Sequence, residues 1–266
     1  MTKQIKLPFK LLIYDIETSY LSVRVWRLGE QVVRHDQLVP GRDVVKIITL
    51  SYKWYGEKEV KTLVWDKNQS DAEIIKAFDE VIKEADVVLG KNNQRFDDKH
   101  LNTARLINNL SPLPQWATKS DDLERQIRKY FNFPSNSLDY LSKLFGLGGK
   151  GRMEFKDWVD IVEKTKDHDK ALLKMINYNK KDVTDTEALL KKVLPHIKLK
   201  YNAATKVCKI DPCCTLCGSS KVIPSSIIVL GATKYQEFLC KEHKGYAGRA
   251  TFRWNKQRHK VYGKIQ

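Results

Sequence analysis

Residues 10–19, KLLIYDIETS, carry an apolar run directly into two acids. Side chains alternate across a β-strand, so Leu11, Ile13, Asp15 and Glu17 share one face while Leu12, Tyr14 and Ile16 share the other. Two carboxylates this close repel, and each raises the other's pKa. The pair therefore needs a positive charge between its members or a solvated strand end. Taken alone, Asp15-x-Glu17 is a solvated strand terminus, and the rest of the chain has to decide.

Working outward, an irregular polar stretch runs to about Asp43. VVKIITLSYKWYG and EVKTLVW then read as two strands of a hairpin that turns at Gly56, rich in β-branched and aromatic residues. SDAEIIKAFDEVIKEA has a helical stripe (Ile74, Ile75, Phe78, Val81, Ile82) behind a Ser70 or Asp71 cap. DVVLG is a short buried strand. FDDKHLNTARLINNL is helical, as is SDDLERQIRKYF with Ser120 or Asp121 as its cap. SLDYLSKLFGLG forms another helix, ended by Gly146 or Gly148. A long helical region then stops near Pro195. These elements predict an α/β fold, a mixed sheet with helices on its faces. GLGGKG (146–151) follows a helix rather than a strand, with no Ser or Thr after Lys150. It lacks the context of a phosphate-binding loop and reads as a flexible helix end.

At 266 residues the chain suits one large domain with a smaller one attached, and 42% hydrophobic content supplies a core. No apolar run approaches the ~20 residues needed to cross a bilayer. Asp15 also cuts the first run too short for a signal peptide. The expectation is a cytoplasmic protein without a membrane partner. A formal charge of +16 favours a polyanion, and without a basic amphipathic helix that polyanion is nucleic acid. From Tyr201 to Gln266 there are 12 Lys and Arg against 3 Asp and Glu, a net +9, and all five cysteines lie there as well. This shift divides the chain into residues 1–200 and a basic domain, 201–266.

Two further acids keep company with the first pair. Asp97 follows Phe96 at the start of a helix, and Tyr178 and Asp182 stand i, i+4 on one helix face. Each alone is unremarkable, a helix-terminal acid and an exposed pair. In order and in context, Asp15-Ile-Glu17, Asn92 with Phe96-Asp97, and Tyr178-x-x-x-Asp182 resemble the three motifs of the DEDDy 3′–5′ exonucleases. Residues 9–195 are most similar to the proofreading domains of family B DNA polymerases and their stand-alone phage and bacterial relatives. The resemblance implies a ribonuclease-H-like fold. It also implies that Asp15, Glu17, Asp97 and Asp182 hold two Mg²⁺ or Mn²⁺ ions, all-oxygen ligands being suited to hard cations. Tyr178, a phenol with an ordinary pKa of about 10, would aim the attacking water rather than deprotonate it. Asn92 and Phe96 would contact substrate. Lysine departs from the family pattern in Gly90-Lys91-Asn92, and whether Asn92 or Asn93 is the matching residue stays open. The same resemblance places the protein in a bacterial or phage-infected cell.

In the tail, Cys214-x-x-Cys217 and Cys240-x-x-His243 are 22 residues apart. Two such pairs on tight turns can close a tetrahedral structural Zn²⁺ site, and Gly218 suits the first turn. KVIPSSIIVL and TKYQEFL between them read as the strands of a zinc ribbon. Zinc would give this small segment folding energy. Cys213 could take the place of Cys214, Cys208 lies outside the set, and His259 is a distant alternative. Tyr235, Phe238, Tyr246, Phe252, Trp254 and Tyr262 are interleaved with cations, as in proteins that stack single-stranded bases, although about half of them should pack the ribbon's own core. Arg249, Arg253, Trp254, Lys256 and Arg258 are the candidate strand-gripping residues. The combined expectation is a metal-dependent 3′–5′ exonuclease on single-stranded DNA, serving a separate polymerase or replication proteins if it proofreads. An exoribonuclease and a non-catalytic nucleic-acid-binding protein are its rivals.

Overall fold

The computed structural model describes residues 5–112, 119–148, 151–204 and 212–251. Five strands form one mixed sheet: β1 (Leu11–Thr18), β2 (Ile47–Trp54), β3 (Lys61–Val64), β4 (Val87–Gly90) and β5 (Ser120–Asp122). Their order is β3-β2-β1-β4-β5. The hairpin side is antiparallel, and β4 and β5 run parallel to β1. Among the described residues, six α-helices are interleaved with and follow these strands: α1 (Ala72–Glu84), α2 (Asp97–Ile107), α3 (Leu123–Tyr130), α4 (Leu138–Leu144), α5 (Phe155–Val162) and α6 (His168–Val193). The central position of β1 explains its apolar residues on both faces. Leu11 and Ile13 pack with Leu123, Ile127, Leu141 and Val183 on one side of the sheet. Leu12, Tyr14 and Ile16 pack with Ile74, Phe78, Leu101 and Ile161 on the other.

Two caps differ from the sequence expectation, one in its residue and one in its hydrogen bonds, and for the same reason. Ser120 and Asp121 do not cap α3, because they form the edge strand β5 with Asp122 beside β4. The cap is Asp122, whose carboxylate accepts from the amides of Glu124 and Arg125 at 2.8 and 3.2 Å. Asp71 does occupy the N-cap of α1, with Ser70 Oγ accepting from the Ala72 amide at 3.4 Å, but its own carboxylate turns to the amide of Ile47 (3.0 Å) and the side chain of Asn108 (2.8 Å). In both places a buried sheet partner outweighs the local cap. The hairpin turn does use Gly56, at φ 86°, and α4 ends at Gly146, at φ 63°.

Between β1 and β2 the chain makes a long excursion, tied at its base by Val39 N to Ser22 O (2.9 Å) and Arg24 N to Gln37 O (2.8 Å). Its tip leaves Trp26 fully exposed.

The C-terminal part is a three-stranded meander: β6 (Val222–Leu230), β7 (Thr233–Cys240) and β8 (Tyr246–Thr251). It does not stand apart from the sheet. One apolar cluster runs from Leu190 and Val193 at the end of α6 through Leu194, Ile197, Leu199 and Ala203 to Cys214, Leu216, Phe238 and Ala247. The amide of Ala203 donates to Thr215 O at 2.6 Å, and that of Thr215 to Ala247 O at 2.7 Å. At Gly245 a Cβ would collide with the carbonyl oxygen of Pro195, so only glycine permits this approach. Among the described residues no helix is long and apolar enough to cross a membrane.

Candidate active site and metal centre

Asp15 and Glu17 sit at the C-terminal end of β1, opposite Ser51 and Thr49 of β2, and a bulge follows Glu17. Helix α6 crosses this face and brings Asp182 to them. Carboxylate oxygens of Asp15, Glu17 and Asp182 lie within 4.8 Å of one another. Sequence positions 15, 17 and 182 thus converge on one point. The fourth acid, Asp97, stands beside this trio at the first residue of α2. Its Oδ1 accepts from the amide of Ile16 at 3.1 Å, which fixes it against the strand between Asp15 and Glu17. Burial pushes the Asp97 carboxyl up to about 7, and the charges of Asp98 and Asp122 add to that. Asp97 lies outside the group of oxygens that come within 4.8 Å of one another; the three clustered carboxylates are a donor set of the kind that could hold a hard divalent cation.

Asp98 has a different task from Asp97. It is buried and receives the Tyr14 hydroxyl, the Ser120 hydroxyl at 2.6 Å and the Asn93 amide at 3.2 Å. This network fixes the start of α2 to β1 and β5, and so fixes Asp97. It also separates the two asparagines. Asn93 is fully buried within the network, whereas Asn92 is half-buried at φ 66° and faces a cavity of about 670 Å³. Phe96 is 42% exposed beside Asp97, edge-on to the His100 ring at 4.4 Å.

The trio is held by a residue that the sequence reading missed. Asn179, completely buried on α6, donates to Asp15 Oδ2 at 2.7 Å and accepts from the Thr49 hydroxyl at 3.2 Å. Its neighbour Tyr178 is half-buried, and a Cβ on Gly151 would lie 3.3 Å from its ring. The glycine-rich stretch therefore ends against the Tyr178 ring instead of serving only as a helix end. A second polar bridge continues along the same face. Thr49, Ser51 and Lys53 alternate with Ile48, Leu50 and Tyr52, and Lys53 Nζ meets Glu187 of α6 at 2.5 Å, both 5% exposed. Glu187 also accepts from the Gly56 amide at 2.7 Å. Burial alone would raise the Glu187 carboxyl, but Lys53, Gly56 and Lys191 together hold it below the usual range.

In the tail, ligand atoms of Cys214, Cys217, Cys240 and His243 also lie within 4.8 Å of one another. Cys217 and Cys240 sulfurs are 3.6 Å apart, and Cys214 Sγ is 3.1 Å from His243 Nε2. A tetrahedral zinc with bonds of about 2.3 Å to sulfur separates two thiolates by about 3.8 Å, so the quartet fits that ion. The hydrogen bond with the Cys217 thiol, and then the amides of Cys217 and Leu216 pointing at Cys214 Sγ (3.5 and 3.4 Å), draw the Cys214 pKa down. The Cys217 thiol is pushed up to about 12 by its hydrogen bond with Cys214 and by burial. Four such groups packed this closely need a cation to ionise together. Gly218 takes φ 70° in the first turn and Lys244 φ 55° in the second. Cys213 is disulfide-bonded and stands outside the quartet; Cys208 and His259 lie outside the described residues.

Of the aromatics in the tail, Phe238 is buried, Tyr235 is half-buried and Tyr246 is 39% exposed. The Arg249 guanidinium stacks over the Tyr235 ring at 4.7 Å. Arg253, Trp254, Lys256 and Arg258, with Phe252 and Tyr262, lie outside the described residues.

No protein-family model matches the chain, and no curated protein matches it. Among solved structures, the chain is similar to the family B DNA polymerase of the hyperthermophilic archaeon Pyrobaculum calidifontis. The similarity covers 71% of this chain at 17% identity, with a TM-score of 0.51. It spans 25% of that polymerase's length. At this identity the likeness establishes a shared fold.

Proposed function

We propose that the chain is a metal-dependent 3′–5′ exonuclease that removes nucleotides from single-stranded DNA. The convergence of Asp15, Glu17 and Asp182 within 4.8 Å carries this reading. Their spacing along the sequence gives them no local reason to meet, and unshielded they repel. Two divalent cations held there with Asp97 would supply the hydrolytic water and neutralise charge on the leaving oxygen. The chain's own residues orient the parts. Asn179 fixes the Asp15 carboxylate and the Ile16 amide fixes Asp97, and Tyr178, one helical turn before Asp182 on α6, would align a water. Support for a nucleic-acid substrate comes from the net charge of +16 and from a fold shared with a DNA polymerase. The quartet Cys214, Cys217, Cys240 and His243 fits one structural Zn²⁺ in the ribbon.

The test uses a 5′-labelled single-stranded DNA and its RNA twin, each with Mg²⁺, with Mn²⁺ and with chelator. A ladder of products shortened from the 3′ end of the DNA, lost in chelator, is expected. Preferential shortening of the RNA would replace DNA by RNA as the substrate. No shortening of either strand in both metals would end the nuclease reading.

A further inference from the structure

The exposed face of α3 presents Arg125, Arg128 and Lys129, while Leu123 and Ile127 are buried behind them. Arg125, Arg128 and Lys129 line the cavity that Asn92 enters, and Asp122 and Glu124 are its acids. Glu124 is already engaged by Lys91 and Arg128, and Asp122 by the α3 cap. Arg125 gives a guanidinium N–H to Gln94 (3.1 Å). Arg125, Lys129, Lys198 and Arg249 form no ion pair among the described residues. Lys129 continues the row towards the ribbon: the Phe131 ring just past α3 meets the His196 ring edge-on at 5.9 Å, two residues before Lys198, and Leu199 packs in one cluster with Ala247 and Ala250, which flank Arg249. Burial, and then the charges of Arg249 and Lys129, disfavour the charge on Lys198. Like charges gathered from three separate elements destabilise the unliganded protein, and a line of phosphates would relieve them. Arg249 over Tyr235, and Lys129 over Tyr130 at 5.1 Å, pair cations with aromatic faces along the same line.

We propose that Arg125, Lys129, Lys198 and Arg249 form a continuous phosphate-binding track for one nucleic-acid strand, leading from the cavity at Asn92, whose carbonyl accepts the Phe96 amide (3.2 Å) next to Asp97, to the ribbon. The track deepens the nuclease reading and rests on it for the direction of the strand, with its 3′ end at the acids. It makes the ribbon part of one substrate path and gives the cations of α3 a role that their sequence pattern does not disclose.

The experiment is binding of a fluorescein-labelled 20-nucleotide single strand across a salt series, with no divalent ion added. The variant K129Q/K198Q/R249Q is compared with wild type and with K67Q/K76Q/K83Q, which removes equal charge on and beside α1, across the sheet. Loss of three phosphate contacts should flatten the slope of log affinity against log salt by about 2, with the control slope unchanged. Equal flattening in both variants, or in neither, would overturn the track. Because no hydrolysis is involved, this result is independent of the acids. Wild-type protein that binds along the track yet leaves the strand intact in manganese would sink the nuclease reading alone.

Discussion

The side-chain amide of Asn179 reaches Asp15 Oδ2 at 2.7 Å across 164 residues of sequence, and its oxygen takes the Thr49 hydroxyl. One buried amide thus ties α6 to both strands that carry or flank the acids.

Replacing Asn179 by Ala should leave Asp15 free to rotate and the Thr49 hydroxyl without its partner. Partners that orient a ligand typically change metal affinity or activity by about tenfold to a hundredfold. The expected outcome is a loss of that size in kcat, with a higher manganese concentration needed for half-maximal rate. A wild-type metal titration in Asn179→Ala protein would remove the positioning role.

Asp15→Asn and Asp182→Asn, which keep a side-chain oxygen as acceptor, should abolish metal-dependent hydrolysis without lowering the melting temperature of metal-free protein. Removing one of three clustered negative charges relieves repulsion in the absence of a cation. Tyr178→Phe should slow single turnovers by less than either substitution, since every carboxylate remains. Calorimetry in chelator-treated buffer and rapid-quench kinetics read the two effects separately.

The buried Lys53–Glu187 pair gives stability a pH dependence of defined sign. The folded Glu187 carboxyl lies below its unfolded value, so its stabilising contribution is present above about pH 4.3 and is lost as pH falls through the folded pKa. Glu187→Gln should flatten the acid limb of a plot of stability against pH. Breaking such a buried pair typically costs about 3–5 kcal/mol at neutral pH, so the gap between the wild-type and Glu187→Gln denaturant midpoints should be full at pH 7 and close only as the pH falls below about 4. Parallel curves for the two proteins would contradict this.

One zinc per chain should be found by elemental analysis, and Cys217→Ser should lose it while Cys213→Ser retains it. Because Cys214 and Cys240 belong to the same apolar cluster as Val183 and Leu190, zinc loss should lower a single thermal transition. Two separate transitions would show that the cluster does not couple them.

Much of this arrangement was legible in the chain itself. Alternation placed Asp15 and Glu17 on one face with Leu11 and Ile13, helical spacing paired Tyr178 with Asp182, and two x-x spacings picked out the sulfur and imidazole quartet. Three features were not legible, each for a physical reason. Strand β5 is Ser-Asp-Asp, with no apolar or β-branched residue, and exists because β4 offers it a ladder. Helix α5, buried through Ile161 and Val162, opens on a reciprocal cap between Glu154 and Asp157 (2.7 Å), and glutamate is not one of the residues that ordinarily announce an N-cap. Asn179 is one polar residue among many in NYNKKD, and only the crossing of α6 over β1 and β2 reveals its partners. The glycines of 146–151 suggested flexibility, yet Gly151 is close to Tyr178.

The seam at Gly245 and Pro195 governs how this protein can be cut. Leu194, Ile197 and Leu199 share their cluster with Leu216, Phe238 and Ala247, so a chain stopped at residue 200 would present a bare oily end to water. Such a fragment would clump before its chemistry could be assayed, and a minimal version would first need that end resurfaced with polar side chains.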